Sequence, residues 1–442
     1  MTGELLSWGR AHRFQQDRYV LSPELLAREG LARVVDAQRS VIPFGLGRSY
    51  GDVALNEGGT VLQTPRLDAL IHADWNTGIV RAEAGLSLAM LHKVSVQRGY
   101  FVAVTPGTKF VTLGGAVAND VHGKNHHQAG SFGAHVRALG LLRSDGTRLT
   151  CSREQNGEMF ALTIGGLGLT GLIEWVELQL KPIGSAFLTV ENMACTSLDE
   201  FFTLSHDSAD WPYTVMWVDC FAKGKAVGRG IFSRGRVLDD GALEPHGDKG
   251  LSMPMTMPAF VLNKASITAF NRLYRMRPGA RFAGRQHYDP FFYPLDAIDG
   301  WNKLYGPSGF YQHQCLIPPD EARKGIREML EIVEQAGQGS FLAVLKVHGP
   351  ETSPGVMSFC REGVSLALDF ANKGERTLRL LDQLDQCVAR HGGRIYPAKD
   401  GRMAAAFYQQ SYPRWRELEE ARDPAFSSSF WRRVTQEQGA NS

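Results

Sequence analysis

The stretch GGAVANDVHGKNHHQAGSFG, from Gly114 to Gly133, holds three histidines, one aspartate and five glycines within a single loop-like segment. His122 and His126, four apart, have the spacing of a zinc-binding helix, but such a helix needs a glutamate directly after the first histidine, where Gly123 stands. Gly123, Gly130 and Gly133 also oppose helical geometry, so no metal is expected from this pair. The pair Gly114-Gly115 followed by AVA suits close backbone approach to a flat or charged ligand. A second stretch, VIPFGLGRSYGD, offers Gly45, Gly47 and Gly51 around Arg48 and Ser49. It fails the dinucleotide fingerprint, because Tyr50 occupies the third glycine position and no helix follows. It retains the features of an amide nest for phosphate. A third, GGLGLTG, matches that fingerprint at Gly166, Gly168 and Gly171, yet the strand-like LIEWVELQL follows it, so a structural turn is the expected reading.

These segments need a scaffold large enough to hold a sizeable ligand. At 442 residues, two domains are expected rather than one. With 43% apolar and 21% charged residues and a formal net charge of +2, the composition is that of a globular protein, and it gives no reason to expect nucleic-acid binding. The six cysteines are scattered without zinc-ribbon or redox spacing, as for reduced thiols. MTGELLSWGRAHRF lacks a signal-peptide core, and no long uncharged apolar run occurs; a cytoplasmic location is expected.

Strand character recurs at Val41 to Phe44, Thr60 to Leu62, Gly78 to Arg81 and Val136 to Leu142. Ser87 precedes a helix with Leu88, Leu91 and Val94 on one face, stopped by Gly99. GLIEWVELQLKP alternates as a half-buried strand, and a boundary is placed near Ile183. Beyond it, YTVMWVDCF, QHQCLI, SFLAVLKVHG and VSLALDF read as strands, and EARKGIREMLEIVEQAG and RTLRLLDQLDQCVARHGG as covering helices. In VSLALDF, Val364, Leu366, Leu368 and Phe370 point one way and Ser365, Ala367 and Asp369 the other, a small polar face able to line a cavity. Gly235 to Gly279 shows no periodicity and is read as a long mobile loop.

In order, GRSYGD, PGTKFVTLGGA, DVHGKNHH, AGSFG, GGLGLTG and GGRIYPAKD resemble the decaprenylphosphoryl-β-D-ribose oxidase family, within the vanillyl-alcohol oxidase and p-cresol methylhydroxylase superfamily. The resemblance runs from about Val41 to the C-terminal WRR. It implies an α+β fold: a PCMH-type FAD-binding domain over residues 1–183, an inserted substrate domain on an antiparallel sheet over 184–393, and a return to the FAD domain over 394–442. It also implies that Gly45, Gly47, Arg48, Ser49, Tyr50, Gly51, Gly107, Thr108, Thr112, Gly114, Gly115, His122, Ile173 and Tyr396 bind FAD. Many relatives attach FAD through a histidine where Arg48 stands, so a non-covalent cofactor is implied. By the same matching, Lys399, His122, Tyr50, Lys346, Gln312 and Gln314 surround the reacting centre. Oxidising a secondary alcohol requires hydride transfer to the flavin and a group to receive the hydroxyl proton. The lysines are the cations of this set and Tyr50 or His122 the relays; the base itself stays open.

Ser365 and Ala367 stand where the mycobacterial pattern has asparagine and cysteine, and Phe292 where it has tyrosine. Sugar contacts should therefore differ, and a cysteine-directed inhibitor should lose its anchor. The implied function is oxidation of a polyprenylphosphoryl-β-D-ribose at C2 to the 2-keto sugar, as the first half of an epimerisation to the arabinose donor used in cell-wall arabinan synthesis. A short-chain NAD(P)H-dependent reductase would act next. The rivals are an FAD sugar, alditol or aldonolactone oxidase acting on soluble substrates and a flavin-binding protein without turnover. SMPMTMPAFVLN, flanked by Lys249, Lys264, Arg272 and Arg275, suggests peripheral contact of the 235–279 loop with the inner face of a membrane, against the plain alternative of a solvated loop.

Overall fold

A computed structural model describes residues 4–35, 39–247, 250–258 and 261–436. Lys249, and Ala259 and Phe260 of the Met/Pro stretch, lie outside the described residues. In the first part of the chain, five strands run in the order Leu70–Asp74, Ile79–Glu83, Leu172–Pro182, Val136–Leu142 and Arg148–Ser152, all antiparallel, with Tyr100–Val102 added to the end of Leu172–Pro182. Val176, Leu178 and Leu180 are buried on one face, as their alternation requires. A small parallel sheet of Asp17–Val20, Thr60–Gln63 and Val41–Phe44 lies apart, and the loop carrying Gly45 leaves from its last strand.

Ser87 caps the helix Leu88–Ser95, and Gly99 ends the turn after it at φ 78°. Leu88 and Leu91 are buried, but Val94 is 44% exposed; His92 and Ser95 take the inward positions instead.

After Pro182 the chain enters an eight-stranded antiparallel sheet ordered Phe282–His287, Phe187–Cys195, Gly230–Val237, Tyr213–Val218, Ala343–His348, Gly363–Ala371, Phe310–Ile317 and Arg394–Ile395. The helices Pro319–Ala336 and Glu375–Arg390 cover one face. Ile326, Met329, Leu330 and Val333 from one, with Leu380, Leu384 and Val388 from the other, join Leu366, Leu368 and Phe370 in one core. The opposite face of the central strands is left for the site.

The segment expected to be a loop is partly helical. Lys264–Met276 forms a helix, its first turn closed by Asn263, whose side chain accepts from the backbone amides of Ala265 and Ser266. The helical spacing of Ile267, Phe270, Leu273 and Tyr274 was missed; only Ile267 and Asn271 are buried, while Phe270, Leu273 and Met276 face outward. All six cysteines are buried and free. Among the described residues no helix is long and apolar enough to cross a membrane.

Candidate active site

Strand register assembles the floor of the site. Gln312 pairs with Asp369, Gln314 with Ala367, and Ala367 with Val344; one row along, Lys346 pairs with Ser365. Because side chains alternate, these residues share the face turned away from the covering helices. His122 reaches this face from the loop Val121–Asn125. Lys346 Nζ lies 3.0 Å from His122 Nδ1, and the Gln314 amide lies 2.8 Å from Nε2. A charged Lys346 can only donate, so Nδ1 accepts and Nε2 carries the ring proton, which requires Gln314 to present its oxygen there. Both nitrogens of His122 are thereby engaged.

The second wall comes from two distant segments. Tyr50 N donates to Ala398 O (2.9 Å), and an added Cβ at Gly51 would sit 1.6 Å from Asp400 O, so only glycine lets the loop Gly45–Asp52 lie against Tyr396–Gly401. Arg433 fastens the contact, pairing with Asp52 at 2.8 Å and Asp400 at 3.0 Å. Tyr396 is held by Gln314 O at its amide (2.9 Å) and donates its hydroxyl to Asn119 O (2.8 Å). Lys399 follows one turn later with Nζ 3.9 Å from the centre of the Tyr50 ring.

Between these walls runs a cavity of about 460 Å³. Every residue expected to hold FAD or to surround the reacting centre lines it, from Gly45 and Gly107 to Tyr396 and Lys399. The lining suits a dinucleotide with a diphosphate. Among the described residues, the amides of Leu46, Gly47, Arg48 and Ser49 donate to no backbone carbonyl, whereas that of Tyr50 does. Asn119 Oδ1 is buried without a partner, and a Cβ at Gly45 would meet Thr112 Oγ1 at 2.5 Å. Arg48 packs its guanidinium 4.3 Å over the Trp8 ring. The turn GGLGLTG also contributes to the lining through Leu167, Gly168 and Gly171, with Leu167 at φ 59°.

The electrostatics are one-sided. Lys124, Lys346 and Lys399 all line the cavity, and no ion pair among the described residues involves them. Burial pulls Lys399 down to about 7, with Asp369 raising it and Lys346 lowering it further. Burial likewise brings Lys124 to about 7 and Lys346 to about 8. His122 is held well below its ordinary value by burial and then by Lys346, so it is neutral. Asp369 is buried, accepting from Gln312 Nε2 (2.5 Å) and the Tyr305 hydroxyl (3.0 Å). Burial lifts its carboxyl to about 7 against those hydrogen bonds and the charge of Lys399. Arg48, Lys124, Arg277, Lys346 and Lys399 outnumber Asp296 and Asp299 in the lining, and this basic excess favours an anionic occupant.

Asp369, Tyr305 and Lys124 were not among the expected site residues. The polar face of VSLALDF pointed to Asp369, but nothing local marks Tyr305 or Lys124, whose ammonium donates to Phe292 O (3.1 Å). Of the three departures, Ala367 and Phe292 line the cavity; Ser365 does not, its hydroxyl being 3.0 Å from His348 Nε2.

Comparison with known proteins fits this arrangement. Residues 29–152 match the model of an FAD binding domain. Over 98% of its length the chain is 34% identical to decaprenylphosphoryl-β-D-ribose oxidase of Mycolicibacterium smegmatis, covering 97% of that protein. The chain belongs to the decaprenylphosphoryl-β-D-ribose oxidase family. An uncharacterized protein of Streptomyces coelicolor is 31% identical over 79% of the chain and 100% of its own length. Mouse L-gulonolactone oxidase is 30% identical, but only over 37% of the chain and 39% of its own length. As a member of the decaprenylphosphoryl-β-D-ribose oxidase family, the protein is an FAD-dependent oxidoreductase of α+β fold with a PCMH-type FAD-binding domain.

Proposed function

We propose that the protein oxidises the C2 hydroxyl of a polyprenylphosphoryl-β-D-ribose to the 2-keto sugar, opening an epimerisation that a short-chain NAD(P)H-dependent reductase completes. The observation that carries this reading is the trio of half-buried amines, Lys124, Lys346 and Lys399, facing one cavity beside Gln312, Gln314 and His122. Such a lining matches a sugar with an attached phosphate.

Bound FAD supplies the hydride acceptor, which no side chain can provide. Gln312, Gln314 and the His122–Lys346 pair orient the sugar hydroxyls. The hydroxyl proton goes to Lys399, whose neutral amine is favoured by burial. Protonation places a positive charge in the site as negative charge accumulates there. Lys124 holds the phosphate. We further propose that FAD is bound without a covalent bond, since Arg48 stands where a linking histidine would be, and that residues 184–393 form an inserted substrate domain, with 1–183 and 394–442 holding the cofactor.

The lipid tail leaves past Tyr274, Arg277 and Ile298, which line the mouth of the cavity. Beside them Leu251, Met255, Leu273 and Met276 are 76, 63, 70 and 68% exposed, with Arg272 and Arg277 among them. An apolar surface edged with arginines fits the inner, anionic face of a membrane, with the protein cytoplasmic and peripheral.

Anaerobic titration of the flavin absorbance with a short-chain polyprenylphosphoryl-β-D-ribose tests the reading, with ribose 5-phosphate and xylitol as controls. Bleaching by the lipid-linked sugar alone is expected. Equal bleaching by the soluble compounds would replace it with a general sugar oxidase, and no bleaching by any of them would remove the substrate assignment.

A further inference from the structure

Behind His122 lies a cluster that the oxidation does not use. His126 belongs to the short helix His126–Ala129, His348 ends the strand Ala343–His348, and Cys360 lies in the connection from that strand to Gly363–Ala371. All three are buried, at 1, 1 and 6% exposure. A nitrogen from each histidine and the cysteine sulfur lie within 4.8 Å of one another.

The hydrogen bonding of this cluster is incomplete. Neither ring nitrogen of His126 has a partner, and His348 Nδ1 has none. Leaving buried polar atoms unsatisfied costs about 1–3 kcal/mol each, and a neutral imidazole has one lone pair, so His126 and His348 each offer one lone pair that a ligand could occupy. His348 Nε2 faces the Ser365 hydroxyl at 3.0 Å. A ring donating its Nε2–H to Ser365 leaves the Nδ1 lone pair available, the outer-sphere arrangement usual for a metal-bound histidine.

We propose that His126, His348 and Cys360 bind a zinc ion. Two imidazoles and one thiolate are a borderline-soft donor set that suits zinc, with water in the fourth position. Tetrahedral zinc with bonds of about 2.0 Å to nitrogen and 2.3 Å to sulfur needs the donors to close by about 1 Å. Burial and the neighbouring Asp120 push the Cys360 thiol well above its ordinary value and Lys346 opposes them, so a metal ion that binds here must displace the thiol proton. The ion would tie the loop bearing His122 to the strands beneath it, acting through position and not on the substrate. This set differs from the His122–His126 pair considered from sequence, and it includes His348 and Cys360, more than two hundred positions further on.

The test uses the FAD-loaded full chain, incubated with zinc chloride, desalted, and assayed for zinc and flavin by mass spectrometry and absorbance. About one zinc per chain is expected in the parent, falling at least tenfold in Cys360→Ser and His348→Phe that keep their flavin. X-ray absorption at the zinc edge of the parent should show one sulfur in the ligand shell. Substoichiometric zinc in the parent, variants that retain it, or a shell without sulfur would each overturn the proposal. The absorption measurement decides the matter if the variants fail to fold.

Discussion

The ammonium of Lys399 lies 3.9 Å from the centre of the Tyr50 ring, bringing together residues from the first cofactor loop and the last turn of the site. Lys399 is also the amine whose lowered pKa, about 7, makes a proton-accepting role testable. The neutral form accumulates above that value. The anaerobic reduction rate, measured by stopped flow with saturating substrate, should therefore rise with pH and level off above about 7. Lys399→Met should slow it by about 100-fold or more. A profile that falls with pH would show that the ammonium, not the amine, is needed.

Asp369 sets where that rise occurs. Its negative charge raises the pKa of Lys399, so Asp369→Asn should move the midpoint of the pH profile to lower pH. Tyr305→Phe, which removes one hydrogen bond from the carboxylate, should make Asp369 harder to ionise and shift the midpoint the same way by less. The two midpoints can be read from the same stopped-flow series. In the parent and in Tyr305→Phe, Asp369 and Lys399 titrate together and the midpoint belongs to the pair; in Asp369→Asn it belongs to Lys399.

Arg433 is the fastening of the two cofactor segments. Its side chain is 26% exposed and its carboxylate partners 5% each, so Arg433→Met should destabilise the protein by about 2–3 kcal/mol and weaken flavin retention on gel filtration. Burial pushes the Asp400 carboxyl up, but Arg433 and Arg402 outweigh it and leave the group below the ordinary range. Its stabilisation is therefore present above the unfolded carboxylate pKa and lost as pH falls through the folded one. The penalty of Arg433→Met, measured by chemical denaturation, should shrink in acid.

The outward face of Lys264–Met276 makes a separate prediction. Leu273→Ser with Met276→Ser should reduce sedimentation with vesicles containing anionic lipid several-fold. Reduction of the flavin by a short-chain, freely soluble form of the lipid-linked substrate should stay unchanged. Unaltered vesicle binding would assign the membrane contact elsewhere.

Much of the cavity lining could be read from motif order, because the residues concerned sit in short glycine-bounded stretches. Gly45, Gly107, Gly114 and Tyr396 lie far apart in the chain yet line the same cavity. Asp369 and Tyr305 were not legible in the same way, because their meeting depends on the pairing of two strands and the placement of a 3-10 turn, neither of which leaves a local pattern. Lys124 was hidden among the histidines beside it. Val94 and the helix Lys264–Met276 show the converse: periodicity reports burial, and here apolar residues face water. The pairing of His126 with His348 depends likewise on a strand end meeting a distant loop.

The fastening of Asp52 by Arg433 joins residues 381 positions apart. The loop Gly45–Asp52 is made long before Arg433, the residue that clamps it. Trp8 N already meets Ser49 O at 2.8 Å, but the clamp itself must close a very long span, a contact of high sequence separation. Closure of this clamp is therefore expected late in folding, and added FAD should raise the yield of the closed protein.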